Sequence, residues 1–250
     1  MSSHDGKIEN LYHSDVQRMT RFAMAPSVSQ PAQRMYELGP PFGDTTVEPG
    51  TNILITGPPL TGKRYLTLQT LAAGATEGEG TVVVSTRESA RQVRGEFGQL
   101  VDEGTSAGVG VVDTVTQHLG QDTDDDMTKY TASPGDMSDI GIKFSEFIQS
   151  FYTDQEREHN RVAIDSLSTL LLYSNLQTVF RFVHVSTSRI ESVDGLGLYT
   201  IESTAHDGES LNTLRQLFDG TVEIDESGMA TLTLPDGESR TAEIWSSIHR

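Results

Sequence analysis

The chain contains no cysteine. Disulfides and thiolate metal sites are therefore excluded. Positive charge is scarce as well: 18 Lys and Arg stand against 36 Asp and Glu, for a net charge of −18. Lysine occurs only as Lys7, Lys63, Lys129 and Lys143. A surface of this kind repels phosphate backbones, so nucleic acid is not an expected partner. It suits a salt-loaded cytoplasm, where ions screen self-repulsion, and a halophilic protein is expected. Apolar runs of the roughly 20 residues needed to cross a bilayer are missing. The opening MSSHDGKIEN also lacks the apolar region of a secretory signal. The expectation is a cytoplasmic protein with no membrane contact. A length of 250 residues suits one α/β domain with a full core, or a domain plus a tail.

Against this background Lys63 is conspicuous. It closes Gly57-Pro58-Pro59-Leu60-Thr61-Gly62-Lys63, the spacing of a phosphate-binding loop. Gly57 and Gly62 allow the backbone to curl so that consecutive N–H groups point at an anion. A helix beginning there adds its positive end, and Lys63 adds a point charge for the outer phosphates. The apolar Ile53-Leu54-Ile55 supplies the buried strand that must precede such a loop. One position breaks the pattern. Ser or Thr normally follows the lysine and ligates Mg²⁺, whereas here Arg64 follows, and a guanidinium cannot ligate a metal. Phosphate binding is expected, and metal-assisted hydrolysis is not.

The rest of the chain alternates strand and helix. Residues 1–34 are polar and weakly periodic, and read as a disordered tail in which 12–24 has some helical character. Residues 35–250 read as one domain opening at Met35. Helix is expected over 62–73, ended by Gly74. A strand at 81–84 leads to Ser85-Thr86-Arg87-Glu88, read as a capping box opening a helix to about residue 100. A strand at 108–113 precedes a loop reaching about 135, whose acidic run at 122–126 lacks calcium-loop spacing and reads as solvated. Ile140, Phe144, Phe147, Ile148 and Phe151 make one apolar stripe of a helix over 138–152. Further strands are expected at 161–166 and 197–202, helices at 176–190 and 211–218, and closing β segments at 221–224, 229–234 and 242–245. This order implies a mostly parallel central sheet with helices on both faces and a β-rich C-terminal end.

Asp165 ends the strand at 161–166, where an acid holds Mg²⁺ in phosphate-loop proteins. The segments GPPLTGK, VVVSTRES, RVAIDSLSTLLLY and LRQLFDGTVEID together resemble the RecA-like ATPases of the KaiC type, in particular archaeal relatives from halophiles. The resemblance spans about 48–225. It implies a RecA-like P-loop NTPase core, ATP as ligand at Gly57, Pro58, Pro59, Leu60, Thr61, Gly62, Lys63 and Arg64, Asp165 as metal residue, and assembly into a homo-oligomeric ring or filament. Where the family places two adjacent glutamates this chain has Arg87 and Glu88, leaving Glu88 as the candidate catalytic carboxylate. Arg87, Arg91 and Arg94 are candidates for reaching a neighbour's phosphate, or else for pairing with acids on a solvated face. Ser186-Thr187-Ser188-Arg189 is a candidate γ-phosphate sensor or a polar helix end. His118, His184 and His206 show no ligand spacing, and His184 reads as structural. Three functions follow: a nucleotide-binding regulatory or signalling protein with weak or absent hydrolysis, an active ATPase acting on a partner or in recombination, and an interaction module on a relic loop.

Overall fold

Strand and helix alternate through the computed structural model, which describes residues 34–101, 108–116, 126–154, 157 and 159–247. A short antiparallel ladder, β1 (Tyr36–Glu37) with β2 (Thr46–Val47), leads in. Then follow β3 (Asn52–Gly57), α1 (Lys63–Thr76), β4 (Gly80–Ser85), α2 (Ala90–Gly98), β5 (Val109–Asp113) and β6 (Thr128–Tyr130). The second half comprises α3 (Met137–Asp154), β7 (Asn160–Asp165), α4 (Leu167–Tyr173), α5 (Leu176–Glu191), β8 (Leu196–Glu202), α6 (Gly208–Arg215), β9 (Gly220–Ile224), β10 (Met229–Thr233) and β11 (Ser239–Glu243). Met35–Arg250 forms one contact unit, and all of 1–34 except Arg34 lies outside the described residues, including the helix expected at 12–24.

Among the described residues the main sheet has the order β11-β10-β9-β3-β8-β7-β4-β5-β6. Its pairs from β9 to β6 are parallel, and β10 pairs antiparallel with both β9 and β11. The central strands are continuous apolar runs because both faces are covered. Alternate side chains serve opposite layers. Ile53, Ile55, Val83, Val111 and Ala163 pack with Leu66, Leu71, Val93 and Phe97 of α1 and α2. Leu54, Val82, Val84, Val112 and Ile164 pack with Ile140, Phe144, Leu170, Val179 and Leu214 of α3 to α6. β3 lies between β8 and β9, so the loop after it opens at the C-terminal edge of the sheet, where ligands of open α/β sheets bind.

Three local expectations are corrected. Gly74 does not end α1 but lies inside it: a Cβ there would come 2.2 Å from Arg161 Nε, so the glycine makes room for a guanidinium. No capping box opens at Ser85, since α2 begins at Ala90 with Ser89 as its cap. The reason is that Ser85 Oγ donates to Glu88 O at 2.7 Å and accepts from Glu88 N, tying that stretch into a turn. Asp113, fully buried, accepts from the N–H of Ala90 at 2.8 Å and from Val115 N, Thr116 N and the Thr116 hydroxyl. Within the expected loop after β5, 128–130 instead forms β6 on the sheet edge. Most of the acidic run, 122–125, and His118 lie outside the described residues. Helix α4 had no sequence counterpart.

The Asp113 network gives a first prediction. Asp113→Asn keeps the shape but presents an amide donor to donors. It is expected to lower the unfolding free energy by about 1.5–3 kcal/mol, the range for hydrogen bonds to a charged group, read by chemical denaturation. A change under roughly 0.5 kcal/mol would show the network to be dispensable.

Candidate functional site

The loop after β3 is shaped by close approach. A Cβ on Gly57 would sit 2.6 Å from the carbonyl oxygen of Ile224 on β9, so only glycine fits. Gly62, at φ 95°, takes the left-handed conformation that turns the chain into α1. Leu60 also has positive φ and stands almost fully exposed at the tip. Thr61 Oγ1 donates to Pro58 O at 2.9 Å and ties the loop across its base. α1 has no side-chain cap, and among the described residues the backbone N–H groups of Thr61, Gly62, Lys63, Arg64 and Tyr65 meet no acceptor. Five unmet donors at the positive end of a helix form a cup for an anion.

Lys63 is buried beneath this cup. Its ammonium donates to Gly57 O at 2.9 Å, to Pro58 O, and to Glu202 Oε2 at 2.9 Å. An ammonium has three donors, so all are taken. Glu202 ends β8, opposite Gly57 in the parallel register. Its own N–H is held by Ser168 Oγ at 2.9 Å, and that hydroxyl also meets His206 Nε2 at 2.8 Å. Its second oxygen lies 3.5 Å from Arg87 Nη1.

Arg64 points across the end of the sheet. Its Nη1 donates to Asp165 Oδ2 at 2.5 Å and its Nε to Glu96 Oε2 at 2.8 Å. Burial disfavours the guanidinium charge, but Asp165 and Glu96 outweigh it and hold the pKa above the ordinary arginine value. Nη2 is shielded from solvent and finds no acceptor. The other oxygen of Asp165 accepts from Thr200 Oγ1 at 2.8 Å, so each oxygen of the carboxylate has a partner. Thr86 Oγ1 donates to Asp165 O at 3.0 Å and accepts from Ser166 N at 2.8 Å, which fixes the strand end.

These groups line one cavity of about 490 Å³. Pro59, Leu60, Gly62, Lys63 and Arg64 of the loop share it with Asp165, Glu88, Glu96, Arg87 and Glu202, while Tyr65, Leu68, Leu100 and Trp245 give it an apolar side. Tyr65 and Trp245 stack with centroids 5.9 Å apart. Sequence reasoning therefore brought the loop, Asp165 and Glu88 to one place. It missed Glu202, Glu96, Thr200 and Trp245. Glu202 carried a signal, since it ends a strand whose C-terminal edge faces the loop, as Asp165 does.

Other candidates fall elsewhere. Arg87 precedes α2 and belongs with Glu202 of its own chain, and Arg91 is exposed on the helix. Ser186 and Thr187 lie within α5 and donate back to Phe182 O and His184 O, so 186–189 is the polar end of that helix and does not line the cavity. His184 is exposed, not a core residue. Among the described residues no group of three or more His, Cys, Asp or Glu is placed to hold a metal. No helix there is long and apolar enough to cross a membrane.

Comparison with known proteins agrees with this architecture. A solved KaiC-like protein from the hyperthermophilic archaeon Pyrococcus horikoshii OT3 is similar, with a TM-score of 0.57 and 17% identity over 85% of this chain and 93% of that one. The fold is therefore a RecA-like α/β fold with a mostly parallel central sheet. No curated protein matches the sequence. A family model, described as a family of unknown function (DUF7504), matches residues 50–224, and the chain belongs to that family.

Proposed function

We propose that the chain is a nucleotide-binding regulatory or signalling protein with weak or absent hydrolysis. The observation that carries it is the cup of unmet N–H groups at 61–65 opening onto a cavity with an apolar flank. The cup suits a phosphate group, and Tyr65, Leu68, Leu100 and Trp245 suit a base. The resemblance noted in the sequence makes ATP or ADP the natural ligand. Self-assembly and a haloarchaeal, cytoplasmic setting belong to the same proposal, the latter suggested by the charge of −18.

Mg²⁺ does not fit the residues present. A small hard cation needs several oxygen ligands in octahedral array. Asp165 instead holds a guanidinium on one oxygen and a threonine hydroxyl on the other. Arg64 supplies the positive charge there, in a fixed form that brings no water with it. Weak hydrolysis follows, because neither the metal cage nor a metal-bound hydroxyl after Lys63 is provided.

Titration with ATP or ADP at molar salt, followed by thermal unfolding, tests the proposal. A ligand at a hundred times its Kd adds about 2.7 kcal/mol, or roughly 5–10 °C in Tm for a chain of this size. Lys63→Ala unties Gly57 O and Pro58 O from Glu202 and leaves that carboxylate unpaired beside the cup, and is expected to remove most of that shift. Brisk Mg²⁺-dependent turnover abolished by Lys63→Ala would reject the weak-hydrolysis reading. A second reading, a protein-interaction module on a relic loop, is favoured by the fact that all three Lys63 donors are satisfied internally. It predicts no shift with either nucleotide.

A further inference from the structure

The geometry points to Glu202 as the residue that makes this site select a nucleoside diphosphate over the triphosphate. This rests on the nucleotide site proposed above and names its ligand. In a phosphate loop the backbone N–H groups cradle the α- and β-phosphates and the lysine reaches the β- and γ-phosphates, so the γ-phosphate alone relies on the lysine without the N–H cradle. The two sets of donors stand in opposite states here. The N–H groups at 61–65 meet no acceptor, while the Lys63 ammonium is saturated by Gly57 O, Pro58 O and Glu202 Oε2. An inner phosphate enters the cup without displacing anything. A γ-phosphate must displace the Glu202 carboxylate from Lys63.

That carboxylate has little freedom to leave. Its backbone is fixed by the Glu202 N–H to Ser168 Oγ, by the register of Gly57 against Glu202, and by Ser203 N donating to Gly57 O at 3.0 Å. Its side chain is 15% exposed and lies between Lys63 and Arg87. A third phosphate would meet a fixed like charge, which is strongly unfavourable in a partly desolvated site. Nor does the rest of the cavity compensate. Its lining carries Lys63, Arg64 and Arg87 against Glu88, Glu96, Asp165 and Glu202, one acid more than bases. Elsewhere Mg²⁺ bridges the outer phosphates and neutralises them. Asp165 holds Arg64 instead.

Calorimetric titration of the full chain with ADP and with ATP, free of Mg²⁺ and at molar salt, tests this in wild type and Glu202→Gln. The wild type is expected to bind ADP at least about tenfold more tightly than ATP, and Glu202→Gln to bring the two within about threefold, chiefly by improving ATP. ATP bound as tightly as ADP by the wild type overturns the inference, as does an unchanged ratio in Glu202→Gln. The wild-type ratio needs no variant, so it decides even if Glu202→Gln does not fold. Binding of neither nucleotide overturns the nucleotide site itself, whereas binding of both without preference overturns only the selectivity.

Discussion

Glu79→Ala is expected to lower the unfolding free energy by about 3–5 kcal/mol, the cost of leaving a buried charge without its partner. Arg161 is 1% exposed and Glu79 4%. The guanidinium reaches Glu79 through Nε at 2.6 Å and Nη2 at 3.2 Å, and its Nη1 donates to Glu37 O and Thr70 O at 2.7 Å each. Tyr36 lies beside it, the guanidinium carbon 5.4 Å from the ring centroid, and burial pushes the Tyr36 phenol pKa well up. One cation thus joins β7 to α1, β1 and the turn before β4. Removing the acid leaves that cation in a dry cavity with only carbonyl partners. At roughly 2–4 °C per kcal/mol, Tm should fall by about 6–20 °C. Replacing both members, as in Glu79→Leu with Arg161→Met, should recover much of the loss, because the penalty lies in the unpaired charge. A loss below about 1 kcal/mol in Glu79→Ala alone would show that water reaches the guanidinium.

The same pair explains what the sequence did and did not disclose. Runs such as Val82-Val83-Val84 and Val162-Ala163-Ile164 declare buried parallel strands, because only strands covered on both faces are apolar at every position. The glycine spacing of 57–63 declares a loop with special backbone angles. Asp165 is legible because it ends an apolar strand. Gly74 was misread because its reason is not local. It clears space for Arg161, which arrives from another strand, and a helix interior glycine looks like a stop when that neighbour is unknown. Arg64 was legible as a departure from the motif, but its partners were not, since Asp165 stands 101 residues away and Glu96 thirty-two. Glu202, 139 residues from Lys63, was hidden for the same reason. Pairings of this kind are set by sheet order. The strand periodicities that identify β3, β7 and β8 do not specify that β3 lies beside β8 and β7 beside β4. β6 escaped notice because three residues carry no period.

Arg64→Thr is expected to convert a metal-indifferent site into a metal-dependent one. In the wild type the Asp165 carboxylate is held by Arg64 Nη1 and Thr200 Oγ1, so nucleotide affinity should change by less than about twofold on adding Mg²⁺. Threonine withdraws the guanidinium and places a hydroxyl directly after Lys63. Asp165 then has a free oxygen facing that hydroxyl, and Glu96, 38% exposed, is left to water. An oxygen from the protein, a carboxylate nearby and the nucleotide's own phosphates are the ligand set that Mg²⁺ favours. Partners that merely orient metal ligands are commonly worth 10–100-fold in affinity, so a direct ligand should bring a gain near the upper end, on the order of a hundredfold. Calorimetry with and without Mg²⁺ reads this directly in both proteins. Arg64 is partly exposed and Glu96 returns to water, but the Asp165 side chain is only 8% exposed and keeps Thr200 alone, so without Mg²⁺ the variant should lose about 1.5–3 kcal/mol, which nucleotide with Mg²⁺ should restore. If Mg²⁺ already strengthens wild-type binding tenfold, Arg64 must swing away from Asp165 in the bound state, and the fixed guanidinium cannot be what replaces the metal.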